Sequence, residues 1–230
     1  AKPKGLGRDP LDKKQGSSHY TTPSGGKAYY MLLKELGFPV RRYERKVELL
    51  PPEVKMMVLF AAKEPVSEAE IETLVAWVEK GNTILWCPKR GEGGDELMRA
   101  FGLGAHSSGT SGSVPGGLEG APPYSLSITT TRRLTGGRTL AGDGSGAAVV
   151  EVVRGSGRFV ALADPKMAAN SGIDQEDNAA FLVHLARRGS KGGVIAFDEF
   201  HHGFKGGQES FELLWDSPLG KAVVFLGLAA

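Results

Sequence analysis

A single cysteine, Cys87, stands in this chain of 230 residues. That excludes an intrachain disulfide framework and a multi-cysteine zinc site. Charge of one sign is also scarce. The 28 Lys and Arg residues against 26 Asp and Glu leave a net charge of +2, too small to imply nucleic acid, and no basic stripe with interleaved aromatics is present. Long hydrophobic runs are missing too. The apolar stretch after Lys221 has nine residues, half of the roughly 20 that span a bilayer. No nucleotide loop is complete: "PSGGKAYY" has Thr21 where the first glycine of that motif belongs, and Ala28 where Ser or Thr should follow the lysine. Glycine alone is abundant, with 33 in the chain and 11 of them between residues 104 and 146.

What is present alternates between strand and helix signals. "SGGKAYYMLLKELG" (24–37) predicts a helix capped by Ser24, with Ala28, Met31, Leu32 and Leu36 on one stripe and Gly37 at its end. "VSEAEIETLVAWVEKG" carries a capping box in Ser67 and Glu70 and the stripe Ile71, Leu74, Val75, Val78. "KMMVLFAA" (55–62), "TILWCP" (83–88) and "GGVIAFDEF" (192–200) are continuous apolar runs, which strands covered on both faces require. "AAVVEVVRGSGRFVALAD" reads as a β-hairpin joined through Gly155-Ser156-Gly157, and a helix follows from about Asp174 to Arg188. The expected fold is therefore α/β, a mostly parallel sheet with helices on both faces. Residues 17–216 form one domain after a flexible segment 1–16, with 104–146 a Gly-rich insertion or long loop. "QESFELLW" predicts one more short amphipathic helix.

Both ends read as cut. The polar start at Ala1 and the apolar end suggest a soluble domain excised from a membrane-anchored protein, with a transmembrane helix beginning within 217–230. A terminal strand or helix packed on the core is the other reading of that end.

In α/β folds ligands bind beyond the carboxyl ends of the strands, so the candidates are sought there. Ala61-Ala62-Lys63-Glu64, Cys87-Pro88-Lys89-Arg90, Asp164-Pro165-Lys166 and "DEFHHG" (198–203) all occupy such ends. Asp164 and Asp198 are natural acceptors at a crevice. Glu199, His201 and His202 are ligand types for zinc, but adjacent strand residues point to opposite faces and no HxH or HxxxH spacing helps. The plainer reading is that these groups bond neighbouring loops and helix ends, and no metal is assigned. Cys87 is followed by Pro88, which lacks the N–H that an oxyanion hole needs, so a buried structural thiol is expected. Ser24, Gly25, Gly26 and Lys27 open a helix and could hold an anion, though a plain helix cap accounts for them. Asn170 and Asn178 flank the helix start at Asp174 and Asp177, and capping does not explain them.

Taken together, "SGGKAYYMLLKELGFPVRRYE", the "VSEAEIETLVAWVEKGNTILW" unit, "GRFVALADPKMAANSGIDQEDNAAFLVHL" and "VIAFDEFHHG" resemble a bacterial membrane-associated family, domain of unknown function 4350. The resemblance covers about residues 17 to 205 apart from the Gly-rich part. Asn170, Asn178, Asp198, Glu199, His201, His202 and Gly203 match its recurrent motif. It implies a soluble domain held between transmembrane helices, often encoded beside MoxR-type ATPases. The implied fold is class I glutamine amidotransferase-like or flavodoxin-like, shared with gliding-motility and intraflagellar-transport domains. No reaction and no cofactor come with it.

The functional expectation is a non-catalytic ligand- or partner-binding module at a membrane, with no nucleic acid. The alternative is a hydrolase or transferase using Asp198 or Glu199 with His201 or His202. Sidedness is divided: the resemblance favours the extracytoplasmic side, while Lys2, Lys4, Arg8, Lys13 and Lys14 favour the cytoplasm.

Overall fold

A computed structural model describes residues 16–89, 96–107 and 109–206. Segment 1–15, the helix expected in "QESFELLW" and the apolar stretch in 217–230 lie outside the described residues. Among the described residues four helices, α1 (Lys27–Glu35), α2 (Glu68–Glu79), α3 (Glu96–Ala100) and α4 (Asn178–Ser190), accompany eleven strands joined in one sheet.

Five strands are parallel, in the order β1 (Val40–Tyr43), β11 (Val194–Asp198), β2 (Val54–Phe60), β3 (Thr83–Cys87) and β10 (Gly157–Leu162). From there the sheet turns antiparallel, through β9 (Gly146–Arg154), β8 (Arg138–Asp143), β5 (Gly112–Gly116) and β6 (Tyr124–Ile128). β4 (Gly104–Ser107) and β7 (Arg132–Thr135) pair with each other, and β7 joins β9 at Leu134 and Ala147.

This overturns the expected mostly parallel, flavodoxin-like or glutamine amidotransferase-like architecture: the fold is a β-rich mixed sheet. The reason lies in 104–146. These residues, expected as an insertion or loop, build β4 to β8 and extend the sheet beyond its parallel half. Their apolar side chains come singly, but Val114, Leu126, Ile128, Leu134 and Leu140 are all buried. Each contributes about 1.5–3 kcal/mol of burial, enough in sum to hold strands that glycine weakens.

Two apolar clusters sandwich the sheet. On one face Tyr29 and Leu33 of α1 and Phe181, Leu182 and Leu185 of α4 meet Val58, Phe197 and the inner residues of β5, β6 and β8. On the other, Ile71, Leu74 and Val78 of α2 and Leu97 and Met98 of α3 meet Leu59, Ile84 and Phe159. The capping box forms as the sequence implies: Ser67 Oγ accepts from the Glu70 N–H and the Glu70 carboxylate accepts from the Ser67 N–H. The β9–β10 turn abuts the end of α2 so closely that a Cβ on Gly157 would lie 1.9 Å from the Val78 oxygen. Among the described residues no helix is long and apolar enough to cross a membrane.

β2 leads through β3 to β10 on one side, while β11 and β1 lie on its other side. The strand order thus reverses beside β2, and the loops after β2, β10 and β11 converge at one end of the sheet.

Candidate functional site

The segment "DEFHHG" ends β11. Asp198 closes the strand, Phe200–His202 make one 3₁₀ turn, and Gly203 stops it in the left-handed region at φ 89°. Asp198, Glu199, His201 and His202 are all buried. Their polar atoms turn inward. Glu199 accepts from the Ser17 hydroxyl at 2.6 Å and from the Ser18 N–H at 2.7 Å. His202 Nε2 meets the Phe60 carbonyl at 2.9 Å, and His201 Nδ1 meets Asp198 Oδ2 at 2.9 Å. The two imidazoles therefore serve different elements.

Glu199 is one anchor of the segment 16–26 that precedes α1. Asn170 is another: its amide donates to the Tyr20 and Thr22 carbonyls, and its oxygen accepts from the Ala28 N–H at 2.7 Å. Asn170 thus caps α1 from across the fold. Ser24 does not act as the cap; its carbonyl accepts from Gly16, and the Gly25 and Gly26 N–H groups go to Thr22 and Ser17 oxygens. The helix start is Gly26, with Lys27 half-buried in the first turn. Three N–H groups that could have held an anion are consumed internally. Gly16, at φ 75°, sits where a Cβ would lie 2.0 Å from the Phe60 oxygen, so the segment presses directly on β2.

Asp164, Asp177 and Asn178 do related work on β6. The outward backbone groups of this strand recur at every second residue. The Ser125 N–H goes to Asp177, the Ser127 N–H and carbonyl to the Asn178 amide, and the Thr129 N–H and hydroxyl to Asp164. Three side chains stand in for a neighbouring strand, which leaves no open edge there.

Between these structures lies a crevice of about 300 Å³, walled by the 22–24 segment, by Phe60 and Ala61 after β2, and by Asp164–Lys166, Ala169 and Ser171 after β10. Beside it a polar cavity of about 260 Å³ is lined by Ser127, Thr129, Gln175 and Asn178, and shares Lys166 and Ser171 with the first. Ala61 holds φ 45°, a left-handed conformation that costs a non-glycine residue roughly 1–2 kcal/mol, and its N–H is fixed on the Cys87 carbonyl.

Asp164, Asn178 and Ser24 therefore line the cavities, Asn170 braces a wall, and Asp198, Glu199, His201 and His202 line neither. Among the described residues no three His, Cys, Asp or Glu side chains gather to hold a metal ion. Sequence reasoning missed Ser17 and Ser18, which carried no signal beyond small size. It also passed over the polar role of Ser127 and Thr129, whose alternation in "YSLSITT" was the available clue.

His201 lies between two carboxylates, with Nε2 3.5 Å from Glu70 Oε1 on its second side. Burial alone lowers its pKa, but the hydrogen bond and charge of Asp198, joined by Glu70, push it up to about 9. His202 goes the other way: burial holds it below the ordinary value, against the pull of Glu199 and Asp198. Protonated His201 therefore stabilises the fold in full below its unfolded pKa near 6.5, and that contribution, on the order of 3 kcal/mol, is lost as pH rises through 9. Neutral His202 has the opposite sign, its share being lost as pH falls below 6.5. Thermal unfolding from pH 5 to 9.5 is expected to show declines on both sides of neutrality. His201→Gln should flatten the alkaline limb; an unchanged alkaline limb in that variant would refute the assignment.

The family described as "Domain of unknown function (DUF4350)" matches residues 18–186. Among curated proteins none matches the chain. Among solved structures, the mmIFT52 N-terminal domain is similar over 78% of this chain and 95% of its own, with 17% identity and a TM-score of 0.62, a likeness of fold alone. The exo-β-1,4-mannosidase Op5Man5 from Opitutaceae bacterium strain TAV5 (18% identity, TM-score 0.40, 70% of this chain) and a β-galactosidase from Rahnella sp. R3 (22%, 0.38, 58%) are more distant. This chain spans only 28% and 22% of those two enzymes, and likenesses so slight bear on nothing further.

Proposed function

The chain belongs to the DUF4350 family, and from that premise we propose that it is a non-catalytic recognition domain. Its crevice, between the 16–26 segment and the ends of β2 and β10, receives a small ligand or a protruding group of a protein partner. One observation carries this reading: the polar groups of "DEFHHG" and Asn170 direct their hydrogen bonds into the protein and brace the walls of a crevice. A general acid or base must reach the proton it moves. His201 and His202 are buried on separate partners, which counts against a hydrolase or transferase built on them. The setting we propose is a membrane, on its extracytoplasmic side, with a MoxR-type ATPase system as the partner class. Family resemblance is the support for that setting.

A fragment titration followed by amide chemical shifts tests the crevice. Shifts are expected at Phe60, Ala61, 22–26 and 164–171. Shifts gathered on Asp198–His202 instead, with turnover of a hydrolysable fragment, would overturn the reading.

A further inference from the structure

We infer that the paired cavities select a monocarboxylate with an apolar body, an inference that rests on the recognition reading above. The two cavities differ in chemistry. The larger is lined mainly by apolar surface from Phe60, Ala61, Ala169, Pro23 and Pro165, with Asp164 and Ser24 among its polar residues. The smaller is lined by polar residues and glycine, and Lys166 is its one charged lining residue. They meet at Lys166 and Ser171, so one molecule can place an apolar body in the first and a polar head in the second.

The head is negative because the cavity offers donors and an unmatched cation. The Lys166 ammonium has no ion-pair partner among the described residues, and the Ser127 and Ser171 hydroxyls have no hydrogen-bond partner there either. Asp164, the nearby carboxylate, is already committed: it accepts from the Lys166 N–H at 2.9 Å and from the Thr129 N–H and hydroxyl. Of the two lining amides, Asn178 has its oxygen on the Ser127 N–H, and Gln175 donates through its nitrogen to Asp174. An ammonium with hydroxyls beside it matches a carboxylate, whose two oxygens accept charge-assisted bonds. A phosphate dianion would leave one of its charges uncompensated in a half-enclosed site. The one cation of the smaller cavity, with the Asp164 carboxylate lining the adjoining one, matches a head of one negative charge rather than two.

The apolar monocarboxylate is either a free acid or the C-terminus of a polypeptide. Titration of the full chain with phenylacetate, phenylacetamide and acetyl-Ala-Ala-Phe separates these. Phenylacetate is expected to bind at least about tenfold more tightly than its amide, the usual worth of one charge-assisted hydrogen bond. Lys166→Met should abolish that preference while leaving phenylacetamide affinity unchanged, and Lys166→Arg should retain it. Tighter binding of the tripeptide than of phenylacetate assigns the site to polypeptide C-termini; equal or weaker binding assigns it to free acids. Equal affinity for acid and amide, or a preference that survives Lys166→Met, overturns the carboxylate inference and leaves the recognition reading standing. Absence of binding by all three probes overturns both.

Discussion

Glu199→Ala is expected to destabilise the protein by about 3–5 kcal/mol, because it strands buried donors and removes a buried carboxylate that two of them share. The carboxylate is fully buried, and its partners, Ser17 Oγ and Ser18 N, lie 182 and 181 residues away in sequence. Arg42 completes the arrangement by donating to the Ser18 hydroxyl and carbonyl, both at 2.9 Å. Loss of Glu199 leaves the Ser17 hydroxyl and Ser18 N–H without acceptors, and the 16–26 segment loses one of its anchors. Urea unfolding gives the stability change, and limited proteolysis reports release of the segment before global unfolding. A loss below about 1 kcal/mol would mean that water replaces the carboxylate and that Asn170 and Arg42 suffice to hold the segment.

Glu151→Leu has the second largest expected effect, for an electrostatic reason. Three guanidiniums converge on this one buried carboxylate. Arg138 reaches it at 2.6 Å, Arg188 at 2.8 Å and Arg158 at 3.4 Å, from β8, α4 and β10. Burial raises the pKa of Glu151, yet the hydrogen bonds of Arg138 and Arg188 overcome this and hold it below the ordinary value. Leucine in its place leaves three like charges facing one another with nothing between them. The cost should be about 3–5 kcal/mol, which for a chain of this size lowers Tm by roughly 10 °C. Adding Arg188→Leu should restore part of the loss, since the two changes act on one network and are not additive. Calorimetric unfolding of the single and double variants checks this, and strict additivity would contradict it.

The parts of this fold that were legible in the sequence are those whose causes lie within a few residues. Ser67 and Glu70 are three apart, and their capping box forms as read. The apolar runs at β2, β3 and β11 and the β9–β10 hairpin stand where pattern and turn glycines put them. For α1 the pattern gave the helix but not its cap, because the acceptor for Ala28 N–H is Asn170, 142 residues further on. Within 104–146, glycine and serine masked a two-residue apolar alternation too short to declare itself against a loop, and the antiparallel half of the sheet went unread for that reason.

By itself the sequence determined the elements whose causes are local, the exclusion of an intrachain disulfide, the family and the identity of its recurrent polar residues. Only the tertiary structure decided what those residues do. It turns Glu199, His201 and His202 inward, sets Asp164 and Asn178 along the edge of β6, and brings Lys166 and Ser171 to the junction of two cavities. The physical reason is that a hydrogen bond or an ion pair is fixed by separation in space. Partners more than a hundred residues apart leave no periodicity along the chain, and meet only once burial of the apolar faces has closed the sheet between its helices.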